Sequence, residues 1–230
     1  MINFAVFDMA GTTVADKDFV ANAFRHAFWK QDIKVEDWQV NPLMGYPKPM
    51  AIQMVLEHLG IDADEELVQT IHAEFVKEML SFYQHSPFVQ AMPHAEDLFF
   101  YLQERGVPIA LNTGFSKDIA EVIVSRFRWL ERGLINDFIA SDEVENGRPH
   151  PDMIHRLKER NNISSNAVVM KVGDTVVDIL EGQNAGCKYV MAVTTGASPR
   201  EELQQYQPTH IISNLSEVPA ILKQAVQAYV

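Results

Sequence analysis

The sequence contains a single cysteine, Cys187, so an internal disulfide is excluded. It has no long charge-free apolar run and no basic-then-apolar leader, which argues against a membrane span or a secretory signal. A reducing, cytoplasmic setting is expected. Basic side chains are scarce: 19 Lys and Arg against 31 Asp and Glu give a net charge of −12. That balance disfavours a nucleic-acid backbone or an anionic membrane surface as partner. Internal repeats, low-complexity tracts and Pro/Ser-rich linkers are missing too, so a second domain would be an insertion rather than a tandem module. What is present is a chain of 230 residues with 47% hydrophobic side chains, enough to bury the core of one or two domains. Nothing in it fixes an oligomeric state, and a homodimer is left open.

Ile2 to Phe7 is apolar at nearly every position and too short for an ordinary helix, which suits a strand buried on both faces of a parallel sheet. It ends on Asp8 and the turn Ala10-Gly11-Thr12-Thr13. The pattern then turns helical. Apolar pairs at a spacing of four predict a helix from Asp18 to Gln31 with Asp16 available as a cap, a second from Pro47 to Leu59, and a third from Asp64 to Tyr83. After Pro93, helices alternate with short strands at Pro108–Leu111, Asp137–Ala140, Ala167–Val172, Tyr189–Val193 and Thr209–Ile212. One helix there carries Ile119, Val122, Ile123, Phe127 and Leu130, another runs from Met153 to Arg160, and Ser216 to Tyr229 closes the chain. This alternation implies βαβ units. The expected architecture is a Rossmann-like α/β core of residues 1–14 and 88–230 with a small all-helical cap, residues 15–87, inserted after the first strand.

Three strand ends carry chemistry. Asp8 follows the first strand, Thr113-Gly114 the next, and Gly173-Asp174 with Asp178 a later one; parallel strands place all of them at one edge of the sheet, where open α/β sheets gather ligands. Carboxylates that converge there repel unless a hard cation lies between them, which points to Mg²⁺ held by few carboxylates and waters. Asp174 is then a direct ligand, and Asp178, one helical turn on, orients a metal-bound water. Thr113 and the Gly114 amide can bind a phosphoryl oxygen, and Arg148 offers a fixed positive charge to the attacking carboxylate or to a phosphate.

Asp8-Met9-Ala10-Gly11-Thr12, Thr113, Gly147-Arg148-Pro149 and Gly173-Asp174-Thr175-Val176-Val177-Asp178 resemble the four motifs of the haloacid dehalogenase superfamily. Ala10, two residues after the aspartate, and arginine in place of the usual lysine resemble its phosphonatase branch, typified by phosphonoacetaldehyde hydrolase. Met44-Gly45-Tyr46-Pro47-Lys48 is similar to the cap motif of that branch, whose lysine forms a Schiff base with a substrate aldehyde. The resemblance implies attack by Asp8 on phosphorus, an aspartyl-phosphate, Mg²⁺ on Asp8, Asp174 and the Ala10 carbonyl, and Lys48 as electron sink. It also implies a small phosphonate or phosphate substrate contacting Ala10, Gly11, Thr12, Met44 and Gly114.

The chemistry of Ala10 agrees. An ester oxygen leaves best with a general acid beside it, and losing that acid costs on the order of 10²–10⁴ in rate. A methyl group cannot donate a proton. A carbon leaving group instead needs an electron sink, which an iminium on a lysine supplies. Lys48 must then spend time unprotonated, with its pKa depressed from about 10.4 towards 7 or 8. A lysine in the first turn of a helix is ordinarily solvated, so both readings of Lys48 stay open at this point. The branch carries a histidine three residues beyond the lysine and a tyrosine after the threonine-glycine pair, where this chain has Ala51 and Phe115. A phosphonatase-like hydrolase of another substrate, a phosphomonoesterase or phosphomutase, and a non-catalytic binding protein on the same fold are the alternatives.

Overall fold

A computed structural model describes residues 2–227. Six parallel strands form one sheet: β1 Phe4–Asp8, β2 Ile109–Thr113, β3 Asp137–Ala140, β4 Val169–Gly173, β5 Tyr189–Val193 and β6 His210–Ile212, in the order β3-β2-β1-β4-β5-β6. The first strand is thus central. Its neighbours β2 and β4 lie on opposite sides, so the chain changes direction across the sheet at β1, the place where such sheets open a crevice at their carboxyl ends. Register aligns the chemistry: Asp8 pairs with Asn112, and Phe7 with both Leu111 and Val172.

Both faces of β1 are buried, which is why its sequence reads as a continuous apolar run. Phe4 and Val6 pack towards Met153, Ile154 and Leu157 of α7 (Asp152–Arg160). Ala5 and Phe7 face the other way, where Phe7 meets Phe99 of α5 (Ala95–Gln103) edge-on at 5.5 Å. The remaining core helices are α6 Lys117–Phe127, α8 Val176–Asn184, α9 Arg200–Gln205 and α10 Val218–Gln227.

Between β1 and β2 lie α1 Phe19–Trp29, α2 Asp37–Val40, α3 Lys48–His58 and α4 Glu65–His85, with no strand among them. The Asp16 carboxylate accepts the Val20 amide at 2.9 Å, and Asp64 accepts the Leu67 amide at 2.8 Å, so α1 and α4 start on aspartate oxygens. Phe24 of α1 and Phe75 of α4 meet edge-on at 5.8 Å and bind the insert together.

The short helices α2 and α9 are too brief for an apolar period to show in the sequence. The sequence reading carried one helix too far. At Arg128 the backbone turns left-handed (φ 54°) and ends α6, leaving Leu130 40% exposed while Trp129 is buried against Phe127 and Phe99. In the closing helix, Ser216 belongs to a 3₁₀ turn before α10, and Ala228 and Tyr229 lie outside the described residues. The parallel sheet with an all-helical insert after its first strand is as expected.

Replacing Phe7, which is completely buried, by alanine removes the centre of the larger core cluster. Urea unfolding should show a loss of about 3–5 kcal/mol, and a loss near zero would show that the cluster does not carry the fold.

Candidate active site

The carboxyl ends of β1, β2 and β4 bring Asp8, Thr113 and Asp174 together, and carboxylate oxygens of Asp8, Asp174 and Asp178 lie within 4.8 Å of one another. The turn after Asp8 is shaped for this closeness. Gly11 has φ +87°, and a Cβ there would stand 2.6 Å from Asp174 Oδ2, so both conformation and space require glycine. The Thr13 hydroxyl donates to the Asp8 carbonyl at 2.8 Å. Asp174 accepts the Thr12 hydroxyl at 2.9 Å and the Ala197 amide at 2.8 Å. Asp178 sits one turn into α8, where its Oδ2 accepts the hydroxyl (2.5 Å) and amide (3.1 Å) of Thr175.

Behind these carboxylates is a buried charge network. Arg148 is fully buried: its Nε donates to Glu181 (3.0 Å), one terminal nitrogen donates to Asp8 (2.7 Å) and pairs with Asp178 (3.0 Å) without a hydrogen bond, and the other donates to the Asn112 carbonyl (3.0 Å) and side chain (2.7 Å). It therefore serves the Asp8 carboxylate and does not line the cavity where a phosphate would sit. Lys171, also fully buried, donates to Asn112 Oδ1 (2.6 Å) and pairs with Asp178 (3.0 Å) and Glu181 (2.9 Å). Asn112 donates in turn to Glu181 at 2.7 Å. The sequence reading passed over Lys171, Glu181 and Asn112. A signal was there: a lysine inside a buried strand demands a partner, and Asp178 and Glu181, three apart on a helix, share a face.

The carboxylates divide by their partners. Against the effect of its burial, Arg148 and Lys171 hold Asp178 below the usual carboxylate range. Burial and the neighbouring Asp178 push Asp8 up to about 6 despite Arg148 and Lys171. Asp174 is raised well above the ordinary range by burial and by the charges of Asp8 and Asp178. It has hydrogen-bond donors but no cation beside it among the described residues. An all-oxygen cluster with one buried carboxylate lacking a counter-charge fits a hard divalent cation such as Mg²⁺.

In front of the carboxylates the helical insert closes a cavity of about 30 Å³, walled by Asp8, Ala10, Asp174, Thr113, Gly114 and Phe115 from the sheet side and by Met44, Gly45 and Lys48 from the insert. Asp16, Val20, Thr175 and Ala197 complete the wall. Gly11, Thr12, Arg148 and Asp178 stand behind it, and the Gly11 and Thr12 amides donate within the turn, to Val14 and Met9. The loop before α3 fits closely: a Cβ on Gly114 would meet the Gly45 and Tyr46 carbonyls at 2.6 and 2.7 Å. A space of that size holds about one water.

Lys48 is 2% exposed. Its amine lies 3.4 Å from the Tyr46 carbonyl and 5.7–5.9 Å from the ring centres of Phe24, Phe75 and Phe115. Burial among these rings brings its pKa down to about 8, even with Asp8 and Asp16 pulling it upward. The solvated reading of Lys48 is therefore excluded.

The sequence profile of the haloacid dehalogenase-like hydrolases matches residues 5–192, which takes in the carboxyl ends of β1, β2 and β4. The chain belongs to that family. This hydrolase is 28% identical over 262 residues to a phosphonoacetaldehyde hydrolase of Latilactobacillus sakei, matching 96% of this chain and 95% of the other. It is 28% identical over 240 residues to a bifunctional phosphonoacetaldehyde hydrolase/aminoethylphosphonate transaminase of Clostridioides difficile, matching 97% of this chain but spanning 37% of that longer protein. Its fold is shared with the crystal structure of a phosphonoacetaldehyde hydrolase like protein from Oleispira antarctica (TM-score 0.83, 20% identity, 97% and 92% of the two chains). A predicted phosphoglycolate phosphatase from Haemophilus somnus also shares it (TM-score 0.77, 16% identity, 96% and 98%). No helix of the described residues is long and apolar enough to cross a membrane.

Because Asp8 and Asp174 are raised in the metal-free hydrolase, these two carboxyls hold more protons in the native state than in the unfolded chain once the pH passes the ordinary carboxylate range. Their contribution to stability accordingly falls as pH rises through about 6, where Asp8 ionises. Added Mg²⁺ should raise the melting temperature at pH 8 and do so much less at pH 5. Asp174→Asn should abolish the Mg²⁺ shift, and an undiminished shift in that variant would remove Asp174 from the metal site.

Proposed function

We propose that this hydrolase cleaves the carbon–phosphorus bond of a small phosphonate bearing an aldehyde, of the phosphonoacetaldehyde type, through an aspartyl-phosphate on Asp8. One observation carries the reading: an amine lowered to about 8 is buried on the wall of the same small cavity as a carboxylate at a strand end, with only the Ala10 methyl where an acid would be needed for an ester.

In this reading the Lys48 amine condenses with the aldehyde to an iminium, releasing water. Asp8, ionised at neutral pH and aimed by its 2.7 Å contact with Arg148, attacks phosphorus. The electron pair of the breaking C–P bond moves into the adjacent carbon–nitrogen system as an enamine, so no free carbanion forms. Protonation of the enamine carbon and hydrolysis of the imine free the shortened aldehyde and Lys48. Water then attacks the aspartyl-phosphate and returns the Asp8 carboxylate. Thr113 and Gly114, at the end of β2, bind phosphonate oxygens, and Met44 packs on the substrate from the insert. Asp8, Asp174 and the Ala10 carbonyl would hold Mg²⁺, with Asp178 beside them; when bound, it neutralises the carboxylate cluster and the phosphonate charge. Closure of the insert keeps bulk water from the imine.

The competing reading, a phosphomonoesterase or phosphomutase of the same family, draws on Ala51 and Phe115, which leave the amine without the polar neighbours of the phosphonatase branch. The two separate in a single assay set. Borohydride with phosphonoacetaldehyde should reductively alkylate Lys48, with a trapping rate that climbs with pH and levels off near 8, since only the free amine adds to the aldehyde. Asp8→Asn should leave trapping intact and cut phosphate release by on the order of 10⁴ or more. Phosphate from monoesters without phosphonate turnover or trapping would establish the competing reading.

A further inference from the structure

Imine formation on Lys48 needs a group that moves protons, and the neighbours of the amine cannot do it. Three phenylalanine rings surround it, and its polar contact, the Tyr46 carbonyl at 3.4 Å, accepts a hydrogen bond but holds no proton. Three carboxylates line the cavity. Asp8 is bound to Arg148 and reserved for phosphorus, and Asp174 is held by Thr12 and Ala197 in the metal cluster. That leaves Asp16. It stands on the segment joining β1 to α1, and it also borders a second, outer cavity of about 130 Å³ that contains Asn41, Thr195 and Gly196. Asp16, Met44 and Ala197 belong to both cavities, so the Asp16 carboxyl is the acid positioned between the chamber of Lys48 and the outside.

We propose that Asp16 is the proton carrier for Lys48, doing for the imine what neither Ala51 nor Phe115 can do; this rests on the Schiff-base reading above. The Asp16 carboxylate takes one proton from the Lys48 ammonium, and the freed amine adds to the aldehyde carbon as the carbonyl π pair moves to oxygen. A second proton passes from nitrogen to that oxygen to give the neutral carbinolamine. Asp16, now protonated, gives its proton to the hydroxyl, which leaves as water as the nitrogen pair closes the iminium. Of the three ammonium protons, two depart in the water and one stays on nitrogen, and Asp16 ends as it began. The groups around it suit this traffic. Burial lifts the Asp16 carboxyl to about 6, with Asp18 adding to the rise and Lys48 and the Val20 amide opposing it, so near neutral pH it can both take and give a proton. The Tyr83 hydroxyl, buried and without a hydrogen-bond partner among the described residues, senses the charge of Asp16 and stays protonated.

Asp16 also caps α1 through Val20, so the variants must keep a capping oxygen. Asp16→Asn and Asp16→Ser both do. With phosphonoacetaldehyde and borohydride, each should trap Lys48 about 10²–10⁴-fold more slowly than the wild type, with melting temperatures little changed. Formate, small enough for the outer cavity, should restore part of the rate in Asp16→Ser. Wild-type trapping rates in both variants would overturn the role of Asp16 while leaving the Schiff base in place. Slow trapping that follows a lowered melting temperature and is not rescued by formate would reduce Asp16 to a helix cap. Failure to trap Lys48 in the wild type would defeat the Schiff-base reading and this proposal together.

Discussion

The site is built on an imbalance of buried charge. Asp8, Asp174, Asp178 and Glu181 are gathered at one edge of the sheet, and Arg148 and Lys171 are the cations in contact with them. Isolated buried charges are costly, and a pair is tolerable only when hydrogen bonds complete it. Arg148 and Lys171 are completed in that way, with Asn112 joining both to Glu181. The two cations settle Asp178 and Glu181 and partly settle Asp8. Among the described residues Asp174 is left with donors but no cation beside it, and this uncompensated charge is the reason the site suits a divalent ion.

The same network separates structural from chemical work. Arg148, Lys171 and Glu181 do not line the cavity; Arg148 holds the Asp8 carboxylate from behind, and Glu181 holds both Arg148 and Lys171. The cavity itself is narrow and mostly apolar, and its polar groups arrive from different parts of the chain: Asp8 and Thr113 on the sheet, Asp174 after β4, Lys48 on the insert and Asp16 at the entrance to it. Asp8, Thr113, Asp174 and Lys48 are buried from bulk water beneath the insert, and Asp16 is half-buried. That isolation is what lowers Lys48 and raises Asp16, so the closing contacts of Gly45 and Tyr46 with Gly114 are part of the electrostatics as well as of the shape.

Much of the fold could be read directly. A strand buried on both faces has to be apolar throughout, so β1, β2 and β5 announced themselves, and helices packed on one side have to repeat every three to four residues, as α1 and α4 do. Asp8 and Asp174 were legible because a carboxylate that ends a buried strand is rarely idle. Lys171 was not, although it interrupts an apolar strand, because its partners Asp178 and Glu181 come from a helix and Asn112 from another strand. Leu130 misled, since its spacing continued the helical period past a residue whose backbone had already turned left-handed.

The sequence by itself determined the parallel sheet, the helical insert after the first strand, and the carboxylates and threonine at the strand ends, since these depend on local pattern and on the rule that parallel strands share an end. It also determined that no acid stands at position 10. Only the tertiary structure decided that Lys48 is buried in front of Asp8, that Arg148 is spent on carboxylates, and that Asp16 lies between the inner cavity and the outside. Those facts concern charge and water exclusion, which depend on what segments far apart in the chain bring to one point in space.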